Sequence, residues 1–249
     1  MYKICVLILI LLGAGCGTSS RLAPVVELHW QPLNAQQRMH TVRRGETLYA
    51  IAFRYDIDYR QLAAINHIHS PYGLHVGQIL QVKAGRAANI RPKRLIARNQ
   101  KVYKYSLPKR VPQYYTTPKR INSAPTTRGQ WLWPVNGRVA ANFVPQQGKK
   151  GIDIAGVKGE KIHATANGIV AYAGSGLSGY GNLIIVKHND QLLTAYGNNS
   201  RNLVKEGQKV KAGQTIAEIG VIDRRYWGVH FEIRKDGKPV NPLNYLRKN

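Results

Sequence analysis

The pattern of apolar and polar positions predicts a small helical module near the start of the chain. Between residues 40 and 83, apolar residues recur at helical spacing, at Leu48, Ile51, Ala52 and Tyr55. Spacing of i, i+3, i+4 and i+7 places side chains on one face of a helix. Asp58 is typical of a residue that caps a following helix. Because short apolar runs flank these helices, we predict a strand–helix–helix–strand module.

Residues 130–249 show a different pattern. Short apolar runs alternate with Gly-rich turn signals such as Asn136-Gly137 and Asp236-Gly237. Short runs bounded by turn residues predict strands joined by tight turns. We therefore predict a mainly antiparallel β domain, which makes the chain as a whole α+β.

Residues 84–129 separate these two regions and carry no apolar periodicity. They contain twelve Lys and Arg, five Pro and no Asp or Glu. This composition predicts an extended, self-repelling and disordered linker. The whole chain has 37 Lys and Arg against 12 Asp and Glu, a net charge of +25. Such a charge favours polyanions, which include nucleic acid, acidic lipid and anionic wall polymers.

The first residues indicate export. Lys3 precedes an unbroken apolar run over residues 4–12. The run is shorter than the roughly 20 residues that a membrane-spanning helix needs, and it has the size of a signal-peptide core. Export argues against nucleic acid as a partner.

Small residues before Cys16 resemble a bacterial lipobox. The resemblance implies a signal peptide over residues 1–15, a lipidated Cys16 and a tether over residues 16–39. An ordinary secretory signal with an incidental cysteine is the alternative. Gly17 and Thr18 follow the cysteine, so the usual inner-membrane retention residue is missing, which favours the outer membrane.

The first module resembles the LysM family. The matching residues are Thr41-Val42, Gly45-Glu46-Thr47-Leu48, Leu62, Asn66 and Val76-Gly77-Gln78. The resemblance implies binding of peptidoglycan glycan strands between the loop after the first strand and the loop before the second. The expected glycan-binding residues are Gly45, Glu46, Thr47, Leu48, Asn66, Ile68, Tyr72, Gly73 and Leu74. The alternative is that Gly45 and Asn66 only shape a turn and a cap.

Residues 130–249 resemble the LytM or lysostaphin-type zinc endopeptidases. In that family a His and an Asp of one motif and a His of a second motif hold zinc, and two further histidines assist the catalytic water. This chain keeps Asp153 and His230 but has Lys149, Asn198 and Gly228 at the other three positions. A catalytic zinc site needs about three protein ligands, and a protonated Lys cannot be one. We therefore expect no metal, no cofactor and no catalytic residue.

Two further expectations concern charged and titratable side chains of this domain. The Lys149 ammonium is expected to lie beside Asp153, where zinc would otherwise sit. His163 and His188 are expected to be structural histidines and not substitute ligands.

The combination of a LysM module, a LytM domain without its zinc ligands and a lipoprotein signal resembles the NlpD-type murein hydrolase activators. In that group the degenerate domain stimulates a periplasmic zinc amidase, an N-acetylmuramoyl-L-alanine amidase that splits septal peptidoglycan during daughter-cell separation. The resemblance implies a lipid-anchored activator at the outer membrane of a Gram-negative bacterium. Its partner groove is expected to contain Lys149, Asp153, Asn198, Gly228 and His230. The alternatives are a zinc endopeptidase with an altered metal site and a passive wall anchor.

Overall fold

A computed structural model describes residues 37–83 and 130–247 of the chain. The predicted signal peptide, Cys16, most of the tether and the basic linker lie outside the described residues. In the part of the chain that is described, no helix combines the length and hydrophobicity needed to cross a bilayer.

The first module has the predicted strand–helix–helix–strand order. Its elements are β1 (Met39–Thr41), α1 (Leu48–Arg54), α2 (Tyr59–Ile65) and β2 (Ile79–Gln81), and the two strands pair antiparallel. The Thr47 side chain caps α1 by accepting a hydrogen bond from Ala50 N at 3.1 Å, and Asp58 caps α2 by accepting one from Arg60 N at 2.8 Å. These bonds satisfy backbone donors that have no partner within the helix. Leu48, Ile51 and Ala52 of the predicted helix face are buried in the module core, whereas Tyr55 is the C-cap residue of α1 and is partly buried against that core.

The second domain is a ten-stranded antiparallel sheet, as the turn pattern predicted. Its strands are β3 (Val139–Ala141), β4 (Ile152–Ala155), β5 (Lys161–His163), β6 (Gly168–Gly174), β7 (Asn182–Lys187), β8 (Leu192–Asn202), β9 (Lys209–Val210), β10 (Thr215–Ile222), β11 (Tyr226–Lys235) and β12 (Lys238–Val240). The main path of neighbours is β3-β4-β11-β10-β8-β7-β6-β9, with β12 paired to β11, β5 paired to β10 and a further pairing of β11 with β8. The α+β fold class is therefore confirmed.

The long central strand β11 has two different faces. Val229, Phe231 and Ile233 point into the main core, which is closed by Trp131 from the start of the domain and other apolar residues. Because side chains alternate across a strand, the residues between them project from the opposite face. That opposite face carries His230, and it is the face on which the candidate site lies.

The LysM module covers part of the same opposite face. Ala50 and Phe53 of α1 join an apolar cluster with side chains of β6, β7 and β8. Phe53 keeps only 2% of its surface exposed. The module and the β domain therefore contact each other directly, although the linker residues that join them lie outside the described ranges.

Candidate functional site

Three neighbouring strands bring the surviving zinc-ligand positions together. Asp153 on β4 lies opposite His230 on β11, and Gly197 on β8 lies opposite His230 on its other side. Directly opposed residues in an antiparallel pair have neighbouring side chains. The register thus explains why two residues far apart in sequence meet.

These residues lie in a cleft of about 250 Å³. Its lining consists of Ala141, Asn142, Gln147, Gly148, Lys149, Gly151, Asp153, Gly179, Tyr180, Asn198, Ile222, Asp223, His230 and Glu232. An adjoining open depression of about 450 Å³ shares Asn198 with it and extends towards Trp227. We call the two together the partner groove. Four of the five expected groove residues line its deeper part.

His230 is held between two carboxylates in this groove. Its Nδ1 lies 2.6 Å from Asp153 Oδ1, and its Nε2 lies 3.0 Å from Glu232 Oε1. Tyr226 donates from its hydroxyl to Asp153 Oδ2 at 3.2 Å, and Tyr180 donates to Glu232 Oε1 at 2.9 Å. The two residues that remain of the family's zinc ligands are therefore bonded to each other and to their neighbours.

These contacts set the charge of the groove. Burial disfavours the protonated form of His230, but the hydrogen bonds with Asp153 and Glu232 outweigh it and raise the pKa of His230 to about 9. Burial also opposes ionisation of Glu232, but Arg234 and His230 hold the pKa of that carboxyl well below its usual range. At neutral pH the site therefore contains an imidazolium between two carboxylates.

This arrangement does not fit the zinc of the active peptidases. A histidine that ligates a metal must offer an unprotonated ring nitrogen. Both ring nitrogens of His230 lie within hydrogen-bonding distance of carboxylate oxygens, so a metal would have to displace one of these contacts, and only Asp153 and His230 remain of the family's three ligands. Within residues 37–83 and 130–247, no group of three or more His, Cys, Asp or Glu side chains is arranged to hold a metal ion.

The expected pairing of Lys149 with Asp153 is wrong. Lys149 is exposed at the groove rim, where its backbone pairs with Val144 across a 3₁₀ turn, Pro145–Gln147. The cation that pairs with Asp153 is His230. A lysine at the rim keeps its charge hydrated, whereas an ion pair inside the groove would lose that hydration. The neighbouring Lys150 pairs with Asp56 of the LysM module instead.

At Asn198 and Gly228, two of the positions where the family has histidine, the local backbone suits the residue that is present. Asn198 has a φ of +60°, a conformation that Asn tolerates better than most residues. At Gly228, a Cβ would lie 2.5 Å from Ile154 O, so the close approach of β4 to β11 leaves no room for a side chain. Gly228 therefore shapes the strands beside the groove and presents no side chain to it.

Sequence reasoning missed Glu232 and Arg234. The side chain of Arg234 is 1% exposed, and its Nε donates to Glu232 Oε2 at 2.7 Å. A signal was present, because residues 230, 232 and 234 share one face of a strand by the two-residue period. Charged side chains on a buried face of a strand need partners of opposite charge. Their presence at these three positions therefore indicated a network of ion pairs and not an apolar core.

The residues expected to bind glycan lie on two neighbouring loops of the LysM module. Tyr49, just after the first loop, contacts Tyr72 of the second, with ring centroids 6.1 Å apart. Gly45 and Gly73 are exposed, and Ile68, Tyr72 and Leu74 are partly buried against the module core. Leu48 lies in that core and is 1% exposed.

Three other residues of this set make defined structural contacts. Glu46 accepts a hydrogen bond from Arg43 N at 2.9 Å and lies 2.7 Å from His40 Nε2. Asn66 bonds with both the N–H and the C=O of Gln81 and so joins the end of α2 to β2. Thr47 caps α1. These contacts show how the loops are held in shape, and glycan binding by the loops stays a prediction.

His163 and His188 lie outside the groove lining. His163 is on β5, and His188 is fully buried between Asn167 O and Thr194 Oγ1, at 2.8 Å from each. Burial lowers the pKa of His188 to about 4, so this ring is neutral and structural.

Comparison with known families matches both parts of the chain. A family model described as LysM domain matches residues 40–83, and one described as peptidase family M23 matches residues 147–242. Together with the site, these matches define the class: a LysM module joined to an M23 domain in which a network of ion pairs stands at the zinc position.

Relatives of known name narrow this class. The lipoprotein NlpD/LppB homolog of Pseudomonas aeruginosa is 42% identical over 233 residues, which cover 83% of this chain and 76% of that protein. Murein hydrolase activator NlpD of Escherichia coli is 40% identical, covering 83% and 67%. A solved structure of Helicobacter pylori Csd3 is 30% identical with a TM-score of 0.41, covering 48% of this chain and 35% of that chain. The chain belongs to the NlpD/LppB family of lipoproteins.

Proposed function

We propose that this protein is a non-catalytic, peptidoglycan-binding lipoprotein that activates a periplasmic N-acetylmuramoyl-L-alanine amidase during septal wall splitting. The observation that carries the proposal is the engagement of both ring nitrogens of His230 with Asp153 and Glu232. This groove keeps two of the family's three zinc ligands, bonded to each other, whereas a catalytic zinc needs about three protein ligands, and it retains a shaped, charged surface. The names of the NlpD relatives, which call them murein hydrolase activators, support the same conclusion.

The groove offers a partner both shape and mixed chemistry. Its floor is the ion-paired His230, its rim carries Lys149 and Asp223, and Asn198 links it to the adjoining depression. A partner that binds this surface better in its open form than in its closed form would be shifted to the open form, as every effector acts. No proton transfer or metal is required of the activator itself.

The other parts of the chain serve delivery in this proposal. The LysM loops hold the protein on glycan strands, and lipidation of Cys16 anchors it at the outer membrane. Relatives named outer membrane antigenic lipoprotein B in Histophilus somni and Haemophilus influenzae support this location.

The test is release of dye from labelled sacculi by the mature chain, residues 16–249, alone and with a purified periplasmic zinc amidase. We expect no release by the chain alone, with or without added zinc, and faster release when the amidase is present. Zinc-dependent release by the chain alone would show an endopeptidase. Binding to sacculi without stimulation of any amidase would show a passive anchor.

A matched pair of variants tests the groove. Ala141→Trp places an indole in the lining of the cleft, whereas Ala212→Trp places the same side chain at an exposed position outside it. We expect Ala141→Trp to lower amidase stimulation roughly tenfold, a loss of about 1.4 kcal/mol of binding, and Ala212→Trp to keep it. Equal stimulation by both variants would place the docking surface elsewhere.

A further inference from the structure

The helix α1 of the LysM module has two apolar faces. One face packs into the module's own core, and the other carries Ala50 and Phe53, which are 0% and 2% exposed. Their partners are on the β domain: Ala171, Tyr172, Leu177, Leu183, Ile185, Leu193 and Ala195. Apolar area of this extent on a sheet face needs a cover in water. Within this chain, α1 supplies that cover.

Polar contacts surround this apolar centre. They join Thr47 Oγ1 to Ala171 O at 3.2 Å, Arg54 Nη2 to Gly176 O at 2.9 Å, Tyr59 OH to Asp190 Oδ1 at 3.3 Å and Arg60 Nη2 to Asp236 Oδ1 at 2.9 Å. An apolar centre with a polar rim is the usual anatomy of a specific interface.

A single aspartate of the LysM module meets three cations of the β domain, two through its carboxylate and one through its backbone oxygen. Asp56 follows α1, and its Oδ2 accepts a hydrogen bond from Lys150 Nζ at 2.6 Å. Its Oδ1 accepts one from Arg234, and its backbone oxygen accepts one from Lys238 Nζ at 2.7 Å. Because the Arg234 side chain is 1% exposed, it depends on protein carboxylates for compensation of its charge.

The contact at Asp56 continues into the partner groove without a break. Arg234 binds Glu232, and Glu232 receives hydrogen bonds from Tyr180 and His230, which line the groove. Glu232 therefore binds Arg234 through Oε2 and the groove residues Tyr180 and His230 through Oε1. If Asp56 is withdrawn, Arg234 keeps Glu232 as its buried counter-ion, and the geometry of Glu232 is free to change.

We propose that the LysM module is a structural part of the partner groove: docked on the β domain, it uses Asp56 to hold Arg234 and thereby fixes Glu232, Tyr180 and His230. The module is then more than a wall anchor, because groove shape depends on its docking. The significance of this coupling for activation rests on the proposed function, but the coupling itself is a property of the chain and is tested without an amidase.

Gly237 supplies a variant that separates the modules. Its φ is +77°, and a Cβ there would lie 2.3 Å from backbone atoms of Ile57 and Asp58 in the LysM module. Gly207 has a φ of +80° with nothing within 4 Å of its Cβ position. Gly237→Ala and Gly207→Ala therefore share the same backbone cost, and only Gly237→Ala also forces the modules apart.

Asp56 supplies a second, charge-only variant. Asp56 has a φ of +52°, which Asn also adopts readily, so Asp56→Asn removes the charge with little backbone cost. Its matched control is Glu206→Gln, the same chemical change at an exposed position.

The experiment uses the mature chain and two readouts. Amide hydrogen exchange of α1 reports docking, and the ring ¹H–¹³C cross-peak of His230, assigned by its loss in His230→Gln, reports the groove. We expect Gly237→Ala to speed α1 exchange roughly tenfold or more, and both Gly237→Ala and Asp56→Asn to shift the His230 cross-peak. Gly207→Ala and Glu206→Gln are expected to match the unaltered chain in both readouts.

Two outcomes would overturn the inference. In one, α1 exchanges faster in Gly237→Ala while the His230 cross-peak stays in place, so docking and groove are independent. In the other, the amides of α1 exchange at the same rate in Gly237→Ala and in Gly207→Ala. This result would show that the docked arrangement does not hold in solution. Failure of the unaltered chain to stimulate an amidase would contradict the proposed function. The coupling between LysM docking and the groove would still be tested by α1 exchange and the His230 cross-peak.

Discussion

The two faces of the ten-stranded sheet are buried by different means. One face packs Val229, Phe231 and Ile233 against apolar segments of the same domain. The other carries charged side chains of β11 and is shared between the partner groove and the LysM module. The first face is held by apolar burial, which has no preferred direction and which weakens when buried side-chain volume is removed. The second combines an apolar contact with α1 and directional charge contacts, and the charge contacts specify a shape and depend on every partner being present.

The largest expected effect lies on the apolar face. Phe231→Ala removes a fully buried ring that lies 5.4 Å from the Tyr196 ring, so we expect a loss of about 3–5 kcal/mol in unfolding free energy. Urea unfolding of the mature chain measures it. The comparison variant is Phe53→Ala, which is expected to loosen LysM docking while the β domain keeps most of its stability. Equal destabilisation of the β domain by both variants would mean that the two faces do not differ.

A loss of similar size is expected from the charged face. Arg234→Ala leaves Glu232 buried without its nearest cation, which should cost about 3–5 kcal/mol. The control is Arg60→Ala, because Arg60 is 44% exposed in its pairs with Asp58 and Asp236, and such pairs contribute less than about 1 kcal/mol. Thermal and urea unfolding compare the two variants. If the Arg234→Ala and Arg60→Ala variants had equal unfolding free energies, the buried ion pairs of Arg234 would not stabilise the fold.

Acid should weaken the apolar side through His188. Its pKa is about 4 in the folded chain, whereas an unperturbed histidine has a pKa of 6.5, so the unfolded state binds the extra proton between these pH values. Stability from this group is complete above pH 6.5 and falls as the pH drops towards 4, by about 3 kcal/mol in total.

Urea midpoints of the unaltered chain and of His188→Gln, measured from pH 7 to pH 4, isolate this contribution. The unaltered chain is expected to lose more stability than the variant over the interval. Parallel pH profiles would show that His188 does not titrate on unfolding.

The smallest expected effect is at the groove rim. Lys149→Ala removes an exposed cation with no ion pair to Asp153, so the unfolding free energy should change by less than about 0.5 kcal/mol. A loss above about 1 kcal/mol in urea unfolding would indicate that Lys149 stabilises the groove after all.

Local patterns in the sequence predicted the elements well. Asp58 caps the second helix as expected, the first helix buries Leu48, Ile51 and Ala52 of its expected face, and the turn residues separate the strands of an antiparallel sheet. These features depend on neighbours a few residues apart, so the chain encodes them locally. The position of Asp153 and His230 in one cleft was also predictable, but only through the family resemblance.

The pairing inside that cleft was not predictable in the same way. The sequence offered Lys149 as the cation for Asp153, whereas the structure gives His230 that role and turns Lys149 to the rim. Which of several cations meets a carboxylate depends on strand register, and the register sets His230 directly opposite Asp153. Likewise, no local pattern distinguished the second apolar face of α1 from an exposed one.

By itself the sequence determined the two modules, the loss of the zinc ligands and the family, because each of these depends on particular residue types at fixed spacing. Only the tertiary structure decided that Asp56, 178 residues before Arg234, completes a charge network that ends at His230. The physical reason is that buried charges are compensated by whatever group the fold brings within hydrogen-bonding distance, and that group need not be near in sequence.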